Sequence, residues 1–159
     1  MKVYKFGGAS VKNADGVRNL KHIIEGQSEL FIIVSAMGKT TNALEEVFDH
    51  YRTGAIEAAQ TKIDEIAAYH QAIIDDLFGE HRTLGQVEAL LSELQRFITT
   101  VPYDASRAEE RYDRTVAFGE LISTTIISEW LNFAGIANHW VDMRRTFVTQ
   151  FRHKDANVF

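Results

Sequence analysis

Four short stretches of this sequence gather residue types that handle anions. Lys5-Phe6-Gly7-Gly8-Ala9-Ser10 combines a cation, two glycines and a hydroxyl just after a short apolar stretch. Glycines let backbone N–H groups converge on an anion without side-chain interference, and Lys5 and Ser10 add a point charge and a hydroxyl. That set suits the β- and γ-phosphates of a nucleotide; an ordinary glycine turn beside a surface lysine uses the same residues. The second stretch is Val34-Ser35-Ala36-Met37-Gly38-Lys39-Thr40-Thr41-Asn42. Its Gly38-Lys39-Thr40 invites a P-loop reading, which fails because the GxxxxGK[ST] pattern needs a glycine where this chain has Ile33. What remains is a cluster of small and hydroxyl residues, with Thr41 and Asn42 at a helix N-terminus that favours negative charge. Plain N-capping by Thr40 or Thr41 is the alternative.

The third stretch is Gly119-Glu120. From Thr115 to Gly135 the only carboxylates are Glu120 and Glu129, so the spacing predicts a helix buried on most sides. A charge there needs a partner or a polar cavity, and Gly119 lets a backbone or a ligand come close. Otherwise Glu120 lies on a narrow solvated stripe with Asp113 and Thr124. The fourth, Asp142-Met143-Arg144-Arg145, carries an arginine pair able to hold a carboxylate or phosphate. The six histidines show no metal-ligand spacing and no calcium-loop pattern occurs, so no metal site made of protein ligands alone is expected.

The elements that must position these residues follow from periodicity. Val3, Tyr4 and Phe6 predict a short buried strand, and Leu30-Phe31-Ile32-Ile33-Val34 a stronger one. Between them Val17, Leu20, Ile23 and Ile24 have helical spacing, with Asn13 as cap. Strand, helix, strand implies a parallel pair with ligands beyond the carboxyl ends. From Asn42 the pattern becomes helical, punctuated by Gly54 and Gly79, with a third helix from Thr83 ended by Val101-Pro102. A fourth should run from Asp104 or Ser106 to Asn132. Ala137 to Val141 is expected to return to the sheet, and Thr146 to Thr149 to form a further strand. The fold class is therefore α/β, a parallel sheet flanked by helices, with a helical insertion between strands 2 and 3. Four strands are few for such a sheet, so a larger parent protein is expected.

Composition narrows the function. The 159 residues are 45% hydrophobic and 25% charged, which fits one globular domain. A chain of this length buries roughly 70% of its unfolded surface and needs no staple. Zero cysteines exclude thiolate metal sites, catalytic thiols and disulfides. The net charge of −5, with 17 scattered basic residues, makes nucleic acid and acidic membranes poor partners. No apolar run approaches the ~20 residues of a membrane span, and the N-terminus does not read as a signal peptide, so a cytoplasmic location is expected.

Together, Lys5-Phe6-Gly7-Gly8-Ala9-Ser10-Val11, Val34 to Met37 with Thr41-Asn42, Gly119-Glu120 with Ser123, and Asp142-Met143-Arg144 resemble the aspartokinase branch of the amino-acid kinase family. The resemblance covers the whole chain, and the KFGG[TA]SV pattern is its most specific part. It implies ATP-dependent phosphorylation of the aspartate β-carboxylate, the entry to lysine, threonine and methionine synthesis, in a homo-oligomeric parent. By the same resemblance Lys5 stabilises the transferring phosphoryl group, and Gly7, Gly8 and Ser10 face the ATP phosphates. Ser35, Thr41 and Glu120 bind aspartate, Glu120 through the α-amino group. For the α-carboxylate, Val148 stands where some members have an arginine, leaving Arg144, Arg145, Arg152 or a residue not present in these 159. The family's adenine, ribose and magnesium segments and its regulatory domains have no counterpart in these 159 residues. The chain is thus expected to be the N-terminal part of an aspartokinase catalytic domain, inactive by itself. The rivals are a carbamate or glutamate kinase, disfavoured by Thr41-Asn42 and the long insertion, and a noncatalytic binding or assembly module that kept the fold.

Overall fold

Residues 1–145 are described by a computed structural model of the chain. Aromatic and β-branched residues hold Lys2–Phe6 (β1) and Leu30–Val34 (β2) extended. The strands pair in parallel, Lys2 opposite Leu30 and Phe6 opposite Val34. Parallel neighbours need a crossover. A 3-10 turn, Gly8–Val11, and helix α1, Ala14–Ile24, supply it. Asn13 caps α1, its Oδ1 accepting the Gly16 N–H at 3.0 Å. Val17, Leu20 and Ile24 turn inward at the predicted spacing. The first strand is less buried than its sequence predicts. Phe6 and Val34 reach the core, but Val3, Phe31 and Ile33 share the opposite face and are 56%, 38% and 46% exposed. None of the described elements covers that face.

After β2 the chain is helical: α2 (Thr40–Arg52), α3 (Ile56–Phe78), α4 (Gly85–Thr100), α5 (Ala108–Val116) and α6 (Phe118–Phe133). Gly54 and Gly79 take the left-handed angles that separate α2 from α3 and end α3. α2 packs on α3 and α5. Lys62 reaches Glu46 at 2.9 Å, and the Tyr112 hydroxyl donates to Glu45 at 2.7 Å. α6 closes with a Schellman motif: Gly135 is left-handed, its N–H bonds the Asn132 carbonyl, and the Ile136 N–H bonds the Leu131 carbonyl.

Two expectations change. The helix predicted from Asp104 to Asn132 is broken: Asp104 caps a 3-10 turn, Ala105–Arg107, and Ala117 separates α5 from α6. Ala137 to Val141 is irregular rather than a third strand. Its polar groups are spent on α6 instead. The Asn138 side-chain amide donates to the carbonyls of Ser128 and Ile136, its backbone N–H donates to Asn132, and the Trp140 indole N–H donates to Thr124 at 2.9 Å. Among the described residues the sheet therefore has two strands, with no third strand after α2 to α6. The strand expected at Thr146 to Thr149 lies outside the described residues.

Candidate functional site

The two strands end at one level, and the loops that follow are stitched together. The Ser35 N–H donates to the Phe6 carbonyl and the Gly38 N–H to the Gly8 carbonyl, both at 3.0 Å, while the Ser10 N–H closes a tight turn on Gly7 at 2.9 Å. Gly8 is required by this packing, because a Cβ there would lie 2.4 Å from the Ala36 carbonyl oxygen. Gly7 is not. Its φ of −76° and ψ of 162° suit any residue, and a Cβ would meet nothing within 4 Å. Neither backbone conformation nor internal packing explains a glycine at this position. The bare backbone leaves open space there, and Lys5 and Ser10, two and three positions away along the chain, have exposed side chains.

α6 reaches the same loops. A Cβ on Gly119 would lie 2.8 Å from the Ala36 Cβ, so glycine permits the close approach. One turn on, the buried Ser123 hydroxyl donates to the Ser35 carbonyl at 2.9 Å. The Glu120 carboxylate accepts the Ala36 N–H at 3.3 Å while remaining exposed. It is neither buried nor merely on a solvated stripe: it ties α6 to the loop after β2. Thr41 is half-buried in the first turn of α2. That helix has no side-chain cap; the Thr40 hydroxyl instead donates back to the Met37 carbonyl at 2.6 Å. Capping by Thr40 is therefore not found.

Lys5, Gly7, Gly8, Ser10, Ser35, Thr41 and Glu120 thus belong to elements converging on the carboxyl end of the strands. Arg144 is engaged differently. Its guanidinium grips Asp142 through Nε at 3.0 Å and Nη2 at 2.8 Å. Hydrogen bonding holds the Asp142 carboxyl below the usual range and raises the Arg144 guanidinium. The carboxylate that this arginine binds is its own neighbour's. The segment leading to it runs along α6 from Ser128 to Thr124, toward the Glu120 end.

Two side chains at the site carry no sequence motif. Tyr69 donates its hydroxyl to the Lys12 carbonyl, and the buried His70 faces Thr40. The spacing of Ile66, His70 and Ile73 signals burial, but the partners are too distant in sequence to be read from it. Among the described residues no group of three His, Asp or Glu could hold a metal ion, and no helix is long and apolar enough to cross a membrane.

The amino acid kinase family model matches residues 1–158. A Zea mays chloroplastic bifunctional aspartokinase/homoserine dehydrogenase 1 is 26% identical over 163 residues, spanning 92% of this chain and 16% of the relative. The Escherichia coli bifunctional aspartokinase/homoserine dehydrogenase 2 is 26% identical over 145 residues, spanning 90% of this chain and 18% of the relative. The crystal structure of E. coli aspartokinase III with aspartate and ADP superposes with a TM-score of 0.79 at 25% identity, covering 99% of this chain and 34% of that one. The chain thus spans about a third or less of the proteins it matches. With the two strand-end loops and α6 joined as described, and with a family model running almost end to end, this chain belongs to the amino acid kinase family, and its relatives are aspartokinases.

Proposed function

We propose that these residues perform the phosphate-cradling and aspartate-binding share of an ATP-dependent aspartate kinase reaction. The observation that carries this reading is Gly7: a glycine required neither by its angles nor by its neighbours, opening space at a strand end in a stretch that also carries a lysine and a serine. Backbone N–H groups presented there bind phosphate oxygens, which a larger side chain would block. The likeness to a structure holding aspartate and ADP supports the same pair of ligands.

In this reading a β-carboxylate oxygen of aspartate attacks the γ-phosphorus of ATP, a new P–O bond forms, and the bond to the ADP oxygen breaks. Such a loose transition state asks for alignment and charge compensation rather than covalent help. Lys5 places a positive charge beside the transferring group. Gly7, Gly8 and Ser10 hold the phosphates. Glu120 offers its carboxylate to the ammonium of aspartate, with Thr41 and Ser35 lining the same side. Arg144 meets the α-carboxylate only by exchanging Asp142 for it. The location proposed is cytoplasmic, and the protein a homo-oligomer.

The test is an aspartate- and ATP-dependent hydroxamate assay on this chain beside a longer polypeptide that contains it, with nucleotide titration of both. Activity in the longer polypeptide supports the reading. Binding of neither ATP nor aspartate by either would replace it with a noncatalytic module.

A further inference from the structure

Both loops of the site rest on α3, a helix to which the sequence assigns no chemistry. Tyr69 and His70 are consecutive there and serve different loops. The Tyr69 hydroxyl donates to the Lys12 carbonyl, where the loop after β1 ends. It also occupies the room a side chain would take at Gly38, since a Cβ there would lie 2.6 Å from the Tyr69 oxygen. Gly38 has a φ of +56° and donates its N–H to Gly8, so the hydroxyl stands at the seam between the loops. His70 is 0% exposed. Its Nδ1 lies 2.8 Å from the Ile66 carbonyl, which can only accept, so Nδ1 carries the proton and Nε2 offers a lone pair. Nε2 faces the Thr40 oxygen at 3.5 Å, and because that hydroxyl's one proton goes to the Met37 carbonyl, the ring buttresses Thr40 by contact. Burial opposes protonation of the ring.

A histidine bonded to its own helix is by itself an ordinary core residue. Here its neighbour fills the space above a left-handed glycine, and the two side chains hold opposite ends of one loop pair. We propose that Tyr69 and His70 are positioning residues that set the spacing between the phosphate loop at Gly7–Ser10 and the aspartate side at Ser35–Thr41. This rests on the kinase reading above. In-line transfer is sensitive to that spacing, because misplacement by an ångström costs on the order of 100-fold in rate.

The test uses Tyr69→Phe, His70→Leu and His70→Gln in the full-length protein, with two readouts. The first is backbone hydrogen exchange. Tyr69→Phe should speed exchange at Ser10 and Gly38 by about tenfold, the loss of one hydrogen bond, while the interior of α6 around Ile126 stays protected. His70→Leu, which loses the ring's polar contact with Thr40, should act alike, and His70→Gln, whose side-chain amide can donate to the Thr40 oxygen while that hydroxyl stays on Met37, should recover most of the protection. The second readout is the kinetics of aspartate phosphorylation, where kcat should fall with little change in KM for ATP. Unchanged exchange at both amides in Tyr69→Phe overturns the positioning role even if the wild type is an active kinase. So does a uniform rise across the whole chain. If His70→Leu does not fold, Tyr69→Phe, which keeps the ring, decides alone. Altered exchange with a wild type that binds neither aspartate nor ATP removes the kinase reading and the functional half of the inference with it.

Discussion

Gly7 and Gly8 are adjacent, yet the structure assigns them opposite responses to the same substitution. At Gly7 an alanine keeps favourable angles and meets nothing within 4 Å. Its main thermodynamic effect is to restrict the unfolded chain, so Gly7→Ala should stabilise by about 0.4–1 kcal/mol. At Gly8 the new Cβ would lie 2.4 Å from the Ala36 carbonyl oxygen, and Cβ atoms are not found below 3.0 Å. Backbone must then move by at least about 0.6 Å, at a cost of about 1–3 kcal/mol for overpacking. For a domain of this size these changes are a rise in Tm of roughly 1–4 °C for the first variant and a fall of roughly 2–12 °C for the second. Function should invert the order of surprise. The more stable Gly7→Ala places a methyl where phosphate oxygens would approach, and should weaken ATP binding by about 10- to 100-fold, the worth of a charge-assisted hydrogen bond. Thermal denaturation and nucleotide titration on the same preparations decide the matter. A stabilised Gly7→Ala that binds ATP as the wild type does would refute the ligand reading of the open space. A Gly8→Ala as stable as the wild type would refute the packing argument.

Other substitutions separate site chemistry from structure. Lys5→Ala removes an exposed side chain with no ion pair among the described residues, so stability should change by less than about 0.5 kcal/mol while turnover falls on the order of 100-fold, as read by the hydroxamate assay. Glu120→Gln keeps an acceptor for the Ala36 N–H but loses the charge, and should raise the KM for aspartate about tenfold with an unchanged melting curve. Leu44, fully buried beside Gly119, should cost about 2–5 kcal/mol when changed to Ala, measurable by urea denaturation. Burial holds the His70 imidazole below its ordinary value of 6.5. As pH falls past that value the unfolded chain takes up a proton that the folded chain refuses, so stability drops with a slope reaching about 1.4 kcal/mol per pH unit until the folded His70 itself protonates. The difference between the pH–stability curves of wild type and His70→Gln isolates this slope; parallel curves would show that the ring is not held neutral.

What the sequence discloses about this fold is what local pattern determines. β1, α1 and β2, the Asn13 cap, the turns at Gly54 and Gly79 and the end of α4 before Pro102 all depend on residues a few positions apart, and all are readable. The third strand is not, because a strand exists only where another backbone is free to pair with it. Ala137 to Val141 has the alternation, but Asn138 and Trp140 find their partners on α6. The break at Ala117 leaves no local mark, since that residue keeps right-handed helical angles. At the site, residue types pointed to Gly7, Ser10 and Glu120 as chemistry, but the different reasons for Gly7 and Gly8 emerge only from the approach of Ala36. Tyr69 and His70 are silent in sequence because the groups they touch lie 57 and 30 positions away.

The sequence distances across the site also fix an order of events in synthesis. β1, α1 and β2 are complete by residue 34 and can pair as soon as they leave the ribosome. The Glu120 bond to Ala36 and the Ser123 bond to Ser35 span 84 and 88 positions. Closing loops of that length is entropically slow, and it must wait for α6 to be made. A nascent chain therefore displays both strand-end loops, with their polar groups bonded to water, while the helices that will hold them are still being translated. The strand pair is thus complete in the nascent chain well before the α6 bonds that tie its end loops together can form.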